Sequence, residues 1–288
     1  VVDSEAAGGV TALRMILGRQ LQDLREKAGL TYEQAAEAIY ASHWTIRRME
    51  RGETGLKLNS VKGLLTRYGV PADDIDVFLE LARDAGRRGW WHTYGDVLPA
   101  WFRSYVGLEE SASLIRPYEP ASVPGLLQTP DYARALTRAG FPRGGDEEIE
   151  RRVALRMGRQ ALLTRPETPP RLWAVIEEAA LRRHVGGTAV MRAQLDRLLD
   201  ACALPNVTLQ ILPLTGDAHA AMYGPFTLLR FPVPELPDLV YGENMTSAFY
   251  LDKPDDVAAY LETLDRICAD APPAHLTPDI IRAIREET

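Results

Sequence analysis

Cysteine is almost missing from this 288-residue sequence, which contains only Cys202 and Cys268. Two thiols are too few for a disulfide framework and suit a reducing compartment. Both fall in apolar helical stretches and read as buried structural thiols. Long apolar runs are missing too: none approaches the roughly 20 residues of a membrane-spanning helix, and no basic-then-apolar leader opens the chain. Positive charge is not in excess, since 33 lysines and arginines stand against 40 aspartates and glutamates, a net −7. A chain so balanced does not coat polyanions indiscriminately, although a local basic patch stays open to it. The expectation is a soluble, cytoplasmic chain, 46% hydrophobic, long enough for two domains.

Catalytic patterns are equally sparse. The stretch "HVGGTAV", 184–190, lacks the lysine and the spacing of a nucleotide-binding loop. The five histidines (His43, His92, His184, His219, His275) are scattered without metal-ligand spacing. Glu177 and Glu178 adjoin, so on a strand they point to opposite faces, a poor arrangement for paired acid–base work; each reads as a sheet-edge or helix-cap residue. His184 beside Arg182 and Arg183 reads as a surface basic cluster or a small anion site. His219, Tyr223 and Glu243 either line a pocket or pack a loop. No catalytic residue, metal site or cofactor is expected.

Residues 1–12 are small and polar and read as a flexible N-terminus. Helical spacing then starts: Leu17, Leu21, Leu24 and Ala28 recur every three or four positions, and Gly29 closes the helix. Thr31 caps a second helix with Ala35, Ala36 and Ile39 inward, and Ser42 a third with Ile46 and Met49 inward. Gly52 stops the third, and two more helices follow over about 60–68 and 72–85. The reading is a five-helix domain over 13–86. "GRRGWWHTYGDVLPAWF", 86–102, changes the composition and reads as a packed linker over 87–102, because Trp90, Trp91, Trp101 and Phe102 seek burial. Beyond it, helical patterns (131–139, 147–163, 188–201, 254–270, 278–286) mix with strand-like runs (172–177, 207–212, 226–231, 239–243, 248–251). Short turn-rich pieces separate the last four runs. The class is therefore α+β, its second domain (103–288) a mainly antiparallel sheet flanked by helices.

What the chain does possess is concentrated in "YASHWTIRRMERGETG", 40–55. With Ile46 and Met49 inward, this helix turns His43, Trp44, Thr45, Arg47, Arg48 and Arg51 outward. Between Ser42 and Arg67, six basic residues face two acidic ones, a +4 window in a −7 chain. Such a patch is the electrostatic footprint of phosphate recognition. With the preceding helix it forms a helix-turn-helix, whose second helix aims its N-terminal residues at base edges in the major groove. Arginine's fork matches guanine, histidine donates or accepts, and Trp44 suits a thymine methyl or a sugar.

"LREKAGLTYEQAAEAIYASHWTIRRMERGETG", 24–55, resembles the Xre/lambda-repressor-type helix-turn-helix. The resemblance implies base reading by His43, Trp44 and Arg48, and phosphate or groove-edge contacts from Tyr32, Thr45 and Arg47. The cap residue Ser42 and the basic-patch residues Arg51 and Lys57 complete the expected DNA-facing set, and by the resemblance Arg25 and Glu50 correspond to a structural ion pair. Two positions depart from the family's habit: Tyr40 stands where its turn often has glycine, and Tyr32 where it often has glutamine.

Five stretches of the remainder are similar to the C-terminal domain of actinobacterial WhiJ-like, antitoxin-like transcriptional regulators: "VPGLLQTPDYARAL" (123–136), "RMGRQALL" (156–163), "EEAALRRHVGG" (177–187), "QLDRLLDACALPNVTLQILP" (194–213) and "GPFTLLRF" (224–231). This resemblance implies a transcription regulator, often paired with a small acidic protein encoded nearby. Together with the recognition motif it leads to a homodimer on an inverted-repeat operator of double-stranded DNA, nucleoid-associated when bound. Gln128, Tyr132, Arg156 and Gln160 belong to these stretches and bond either buried backbone or a ligand. Two other readings stand beside this one: a protein-docking module anchored by Trp44, and an enzyme with a helix-turn-helix appendage.

Overall fold

The computed structural model describes residues 12–85, 90–215, 218–232 and 236–288. The expected flexible start, apart from Ala12, residue 86 at the end of the expected first domain and residues 87–89 of the expected linker lie outside them. The chain divides into two compact units, one reaching to Gly95 and including Pro99–Ser111, the other comprising Asp96–Leu98 and Ala112–Thr288.

The first unit contains α1 (Ala12–Lys27), α2 (Tyr32–Glu37), α3 (His43–Glu50), α4 (Leu58–Arg67), α5 (Ala72–Ala85) and α6 (Ala100–Ser111). Leu17 and Leu21 of α1, Ala35 and Ala36 of α2, Ile46 and Met49 of α3, and Val61, Leu64 and Leu65 of α4 form its core. On α1, α3 and α4 these residues recur three or four positions apart, so each of those helices turns one apolar stripe inward. The stretch between α5 and α6 holds a 3-10 turn, Trp90–Tyr94, and α6 packs against α1. Trp91 is buried, Trp101 and Phe102 are half-buried, and Trp90 is exposed, so the expectation of burial fails for Trp90.

The second unit is built on one six-stranded sheet: β1 (Leu114–Glu119), β2 (Arg171–Glu177), β3 (Val207–Leu212), β4 (Phe226–Arg230), β5 (Leu239–Glu243) and β6 (Ala248–Leu251), in the order β3-β2-β1-β4-β5-β6. Its helices are α7 (Pro130–Gly140), α8 (Asp146–Gln160), α9 (Glu178–Arg182), α10 (Thr188–Cys202), α11 (Pro254–Asp270) and α12 (Thr277–Glu287). β1, β2 and β3 pair in parallel, while β1–β4, β4–β5 and β5–β6 pair antiparallel.

The sheet is thus mixed, with three antiparallel pairings and two parallel ones, which agrees with the expected mainly antiparallel sheet. β3 lies on the far edge beside β2, because the helices between those strands form a crossover rather than a hairpin. β1, at the centre, escaped the sequence reading. Its "LIRPYE" contains Arg116 and Pro117, which argue against a central strand. The buried Arg116 is neutralised by a 2.8 Å bond to Asp265 of α11 and stacks over Trp173. One face of the sheet, with Tyr118, Val175, Leu228 and Val240, packs on Val257, Leu264 and Ile267 of α11. Cys202 and Cys268 are free and half-buried rather than fully enclosed.

Candidate nucleic-acid interface

Helices α2 and α3 are short, and caps hold both. Thr31 accepts from the Gln34 backbone amide at 3.3 Å while the Gln34 side chain accepts from the Thr31 amide at 2.9 Å, a reciprocal capping box. Ser42 accepts from the Thr45 amide at 3.2 Å, and its hydroxyl lies 3.0 Å from that of Thr45. Between the helices, Tyr40 takes the left-handed conformation (φ 52°) and is fully exposed. A non-glycine residue there costs on the order of 1–2 kcal/mol, a strain that the rest of the unit sustains.

Three devices fix α3 against α1. Arg25 donates from Nε to Glu50 Oε1 at 2.7 Å and from Nη2 to Oε2 at 3.0 Å, a fork-to-fork pair with both side chains buried. Its third nitrogen donates to the Leu30 carbonyl at 3.0 Å, tying in the loop before α2. Gly18 of α1 faces the end of α3 so closely that a Cβ would lie 2.5 Å from the Met49 carbonyl oxygen and 2.6 Å from that of Glu50. Gly52, just beyond α3 at φ 68°, presses on the Met15 backbone in the same way. The glycine inside the otherwise helical "ILGRQL" was the sequence signal for this close approach, and it went unread.

The opposite side of α3 is open. Ser42, Trp44, Arg47, Arg48, Arg51 and Lys57 are exposed, and Tyr32, His43 and Thr45 are half-exposed. Trp44 keeps 61% of its surface in solvent, although its ring lies 5.2 Å from that of His43. Arg47 stacks 4.7 Å from the Tyr32 ring and 5.4 Å from Trp44, while Arg25 lies 4.1 Å from Tyr32 on its inner side. Tyr32, in the position where glutamine is common, therefore stands between a buried and an exposed guanidinium. Arg51 has only a loose 3.8 Å contact with Glu53. Lys57 opens α4 without a side-chain cap, and Lys62 and Arg67 are also exposed. The folded chain thus leaves the sequence-predicted residues at least half-exposed, with Arg47 stacked between Tyr32 and Trp44, and buries Arg25 and Glu50.

The residues singled out in the second unit have mainly structural partners. Gln128 donates to Val123 O at 2.6 Å, Tyr132 OH accepts from the Val123 amide at 3.1 Å, and Gln160 donates to Gln128 O at 2.6 Å. Arg156 donates to Gln128 Oε1 at 2.8 Å. Glu177 ends β2 and Glu178 begins α9, so they do not share a strand. Glu177 accepts from Tyr118 OH at 2.6 Å, with His219 Nε2 3.2 Å away; Glu178 binds Arg182 and the Leu214 amide. Arg183 and His184 are exposed, and Arg182 also pairs with Glu287. Among the described residues, no group of three or more acidic, histidine or cysteine side chains could hold a metal ion, and no helix is long and apolar enough to cross a membrane.

A capped pair of short helices with a cationic outer face defines a DNA-binding helix-turn-helix module, and residues 16–78 match the family described as a helix-turn-helix domain. Residues 102–283, more than half of the chain, match the family described as a domain of unknown function (DUF5753). The chain belongs to that family. No curated protein matches it.

Proposed function

We propose that the chain is a sequence-specific transcription regulator of the Xre type, WhiJ-like and antitoxin-like, working in the cytoplasm without catalysis or cofactor. In this reading His43, Trp44 and Arg48 read bases, while Tyr32, Ser42, Thr45, Arg47, Arg51 and Lys57 grip the backbone. A homodimer engages an inverted repeat, and the second unit mediates dimerisation and binds a small acidic partner protein or an effector. One observation carries the proposal: α3 is capped, clamped to α1 through Arg25–Glu50, and keeps its arginines and Trp44 in solvent. Gel-shift titration against genomic fragments, including the chain's own promoter, over a salt series tests it. A few fragments should bind far more tightly than the rest, with affinity falling steeply as salt rises. Equal affinity for every fragment at about 150 mM salt overturns it.

The exposure of Trp44 also suits a protein-docking surface, since a large exposed aromatic is a common interface anchor. Co-purification with a neighbouring small protein, lost in Trp44→Ala and accompanied by no DNA retention, would favour that reading.

A further inference from the structure

The second unit contains a cleft that the roles above leave unused. The winding of the sheet reverses at β1: the chain lays β2 and β3 outward on one side of it, then returns to the other side for β4, β5 and β6. Crevices beyond the carboxyl end of such a strand are where open sheets receive ligands. Phe226, at the start of β4, pairs with Tyr118 near that end of β1 and lines the cleft.

The cleft measures about 610 Å³, within the roughly 300–1,000 Å³ range of small-molecule sites. Aromatic rings from three elements meet in it. Phe226 of β4 and Tyr260 of α11 meet edge to face at 4.9 Å, and Phe249 of β6 lies 6.3 Å from Tyr260. Phe249 reaches that position by lying over its cross-strand partner Gly242, where a Cβ would come within 2.2 Å of the ring. Phe226 is buried, Tyr260 half-buried and Phe249 41% exposed, so the rings grade from the interior to solvent. Gly224, also in the lining, takes φ 144° and ψ 171°, a conformation open almost only to glycine, and Tyr223 before it stands fully exposed. The ringed face carries no charge of its own. Glu243 is the acidic or basic residue among the described lining residues, and strand alternation turns it away from the face that Gly242 shares with Phe249. Its carboxylate accepts from the Tyr241 hydroxyl on that opposite face.

We propose that this cleft binds a small, uncharged aromatic molecule of about two fused rings, held among Phe226, Phe249 and Tyr260. Contact between rings strengthens binding beyond the apolar area removed from water. A saturated molecule of the same outline gains the area without the ring contact. A charged group finds no partner on that face and loses its hydration uncompensated. Such a molecule is the effector of the proposed regulator, and only that assignment rests on the DNA-binding reading.

Occupancy of the cleft is measured directly on the full chain without DNA, so its failure and that of the DNA-binding reading are separate results. Calorimetric titration compares 2-naphthol with decahydro-2-naphthol, its saturated counterpart, and with 2-naphthoate, an anionic one. 2-Naphthol should bind saturably, decahydro-2-naphthol roughly two- to tenfold more weakly, and 2-naphthoate more weakly by about tenfold or beyond. Phe249→Ala, which removes a wall, and Ala259→Trp, which fills the cleft from an exposed position on α11, should each weaken 2-naphthol about tenfold. Ala259→Trp decides alone if Phe249→Ala loses its circular dichroism spectrum. No saturable binding of 2-naphthol, unchanged affinity in the variants, or equal affinity for either counterpart overturns the proposal. Dimers that Phe249→Ala separates in sedimentation, together with no binding of 2-naphthol, would overturn it in favour of a contact between copies of the chain.

Discussion

Arg48 and Lys57 carry like charges that the DNA-binding reading assigns different work. An arginine fork on a base edge is worth about 1–3 kcal/mol of discrimination, whereas a phosphate contact serves every sequence alike. Arg48→Ala should therefore relax preference at one base position, while Lys57→Ala should weaken all fragments and lower the salt slope by about one unit. Competition gel shifts with single-base operator variants read the difference. Glu119, at the end of β1, offers a test of a different kind. Burial, with a further push from Glu243, raises its carboxyl from 4.5 to about 8, against the pull of Arg156 and Arg159. Between those pH values the folded chain holds a proton that the unfolded chain releases, so this group's contribution to stability is greatest below pH 4.5 and declines as pH rises to 8. Denaturant titrations at pH 5 and pH 8 should show wild type losing stability relative to Glu119→Gln over that interval. A parallel response of the two chains removes Glu119 from the account. The candidate interface was legible residue by residue, because a helical period with Ile46 and Met49 inward dictates which side chains face out. The environment of Glu119 was not, since the groups that surround it come from α8 and β5.

At the scale of elements, the position of α3 depends on how near α1 can come. Gly18→Ala should cost about 1–3 kcal/mol, because backbone carbonyls at 2.5 and 2.6 Å cannot swing aside as a side chain would. Thermal melting followed by circular dichroism measures the loss, and an unchanged midpoint would mean that α1 and α3 separate without penalty. The elements themselves were unequally legible. Helices α1–α5 announce themselves by spacing, with caps at α2 and α3, and both signals are local. The start of α6 was hidden in a stretch rich in aromatics that read as a connection, and β1 by Arg116 and Pro117, the arginine held there by Asp265 and Trp173 far along the chain. β3 was recognised as a strand, but its place beside β2 was not legible, because strand length and composition say nothing about a crossover.

At the scale of the whole molecule, net negative charge with one cationic helix face favours selective over indiscriminate contact with DNA. If two copies act together, their α3 helices should engage half-sites about 34 Å apart, one turn of the double helix. Footprinting should reveal two protected half-sites related by a dyad, and inserting about five base pairs between them should abolish tight binding by turning one half-site to the far side. Undiminished affinity for an isolated half-site would show that a single copy suffices. The sequence by itself determined the helix-turn-helix, its outward residues and the class of the fold, because caps, glycine stops and apolar spacing act within a few residues. Only the tertiary structure decided the order of the six strands and the partners of the buried charges. Those depend on contacts between residues remote in the chain, whose geometry no local pattern encodes.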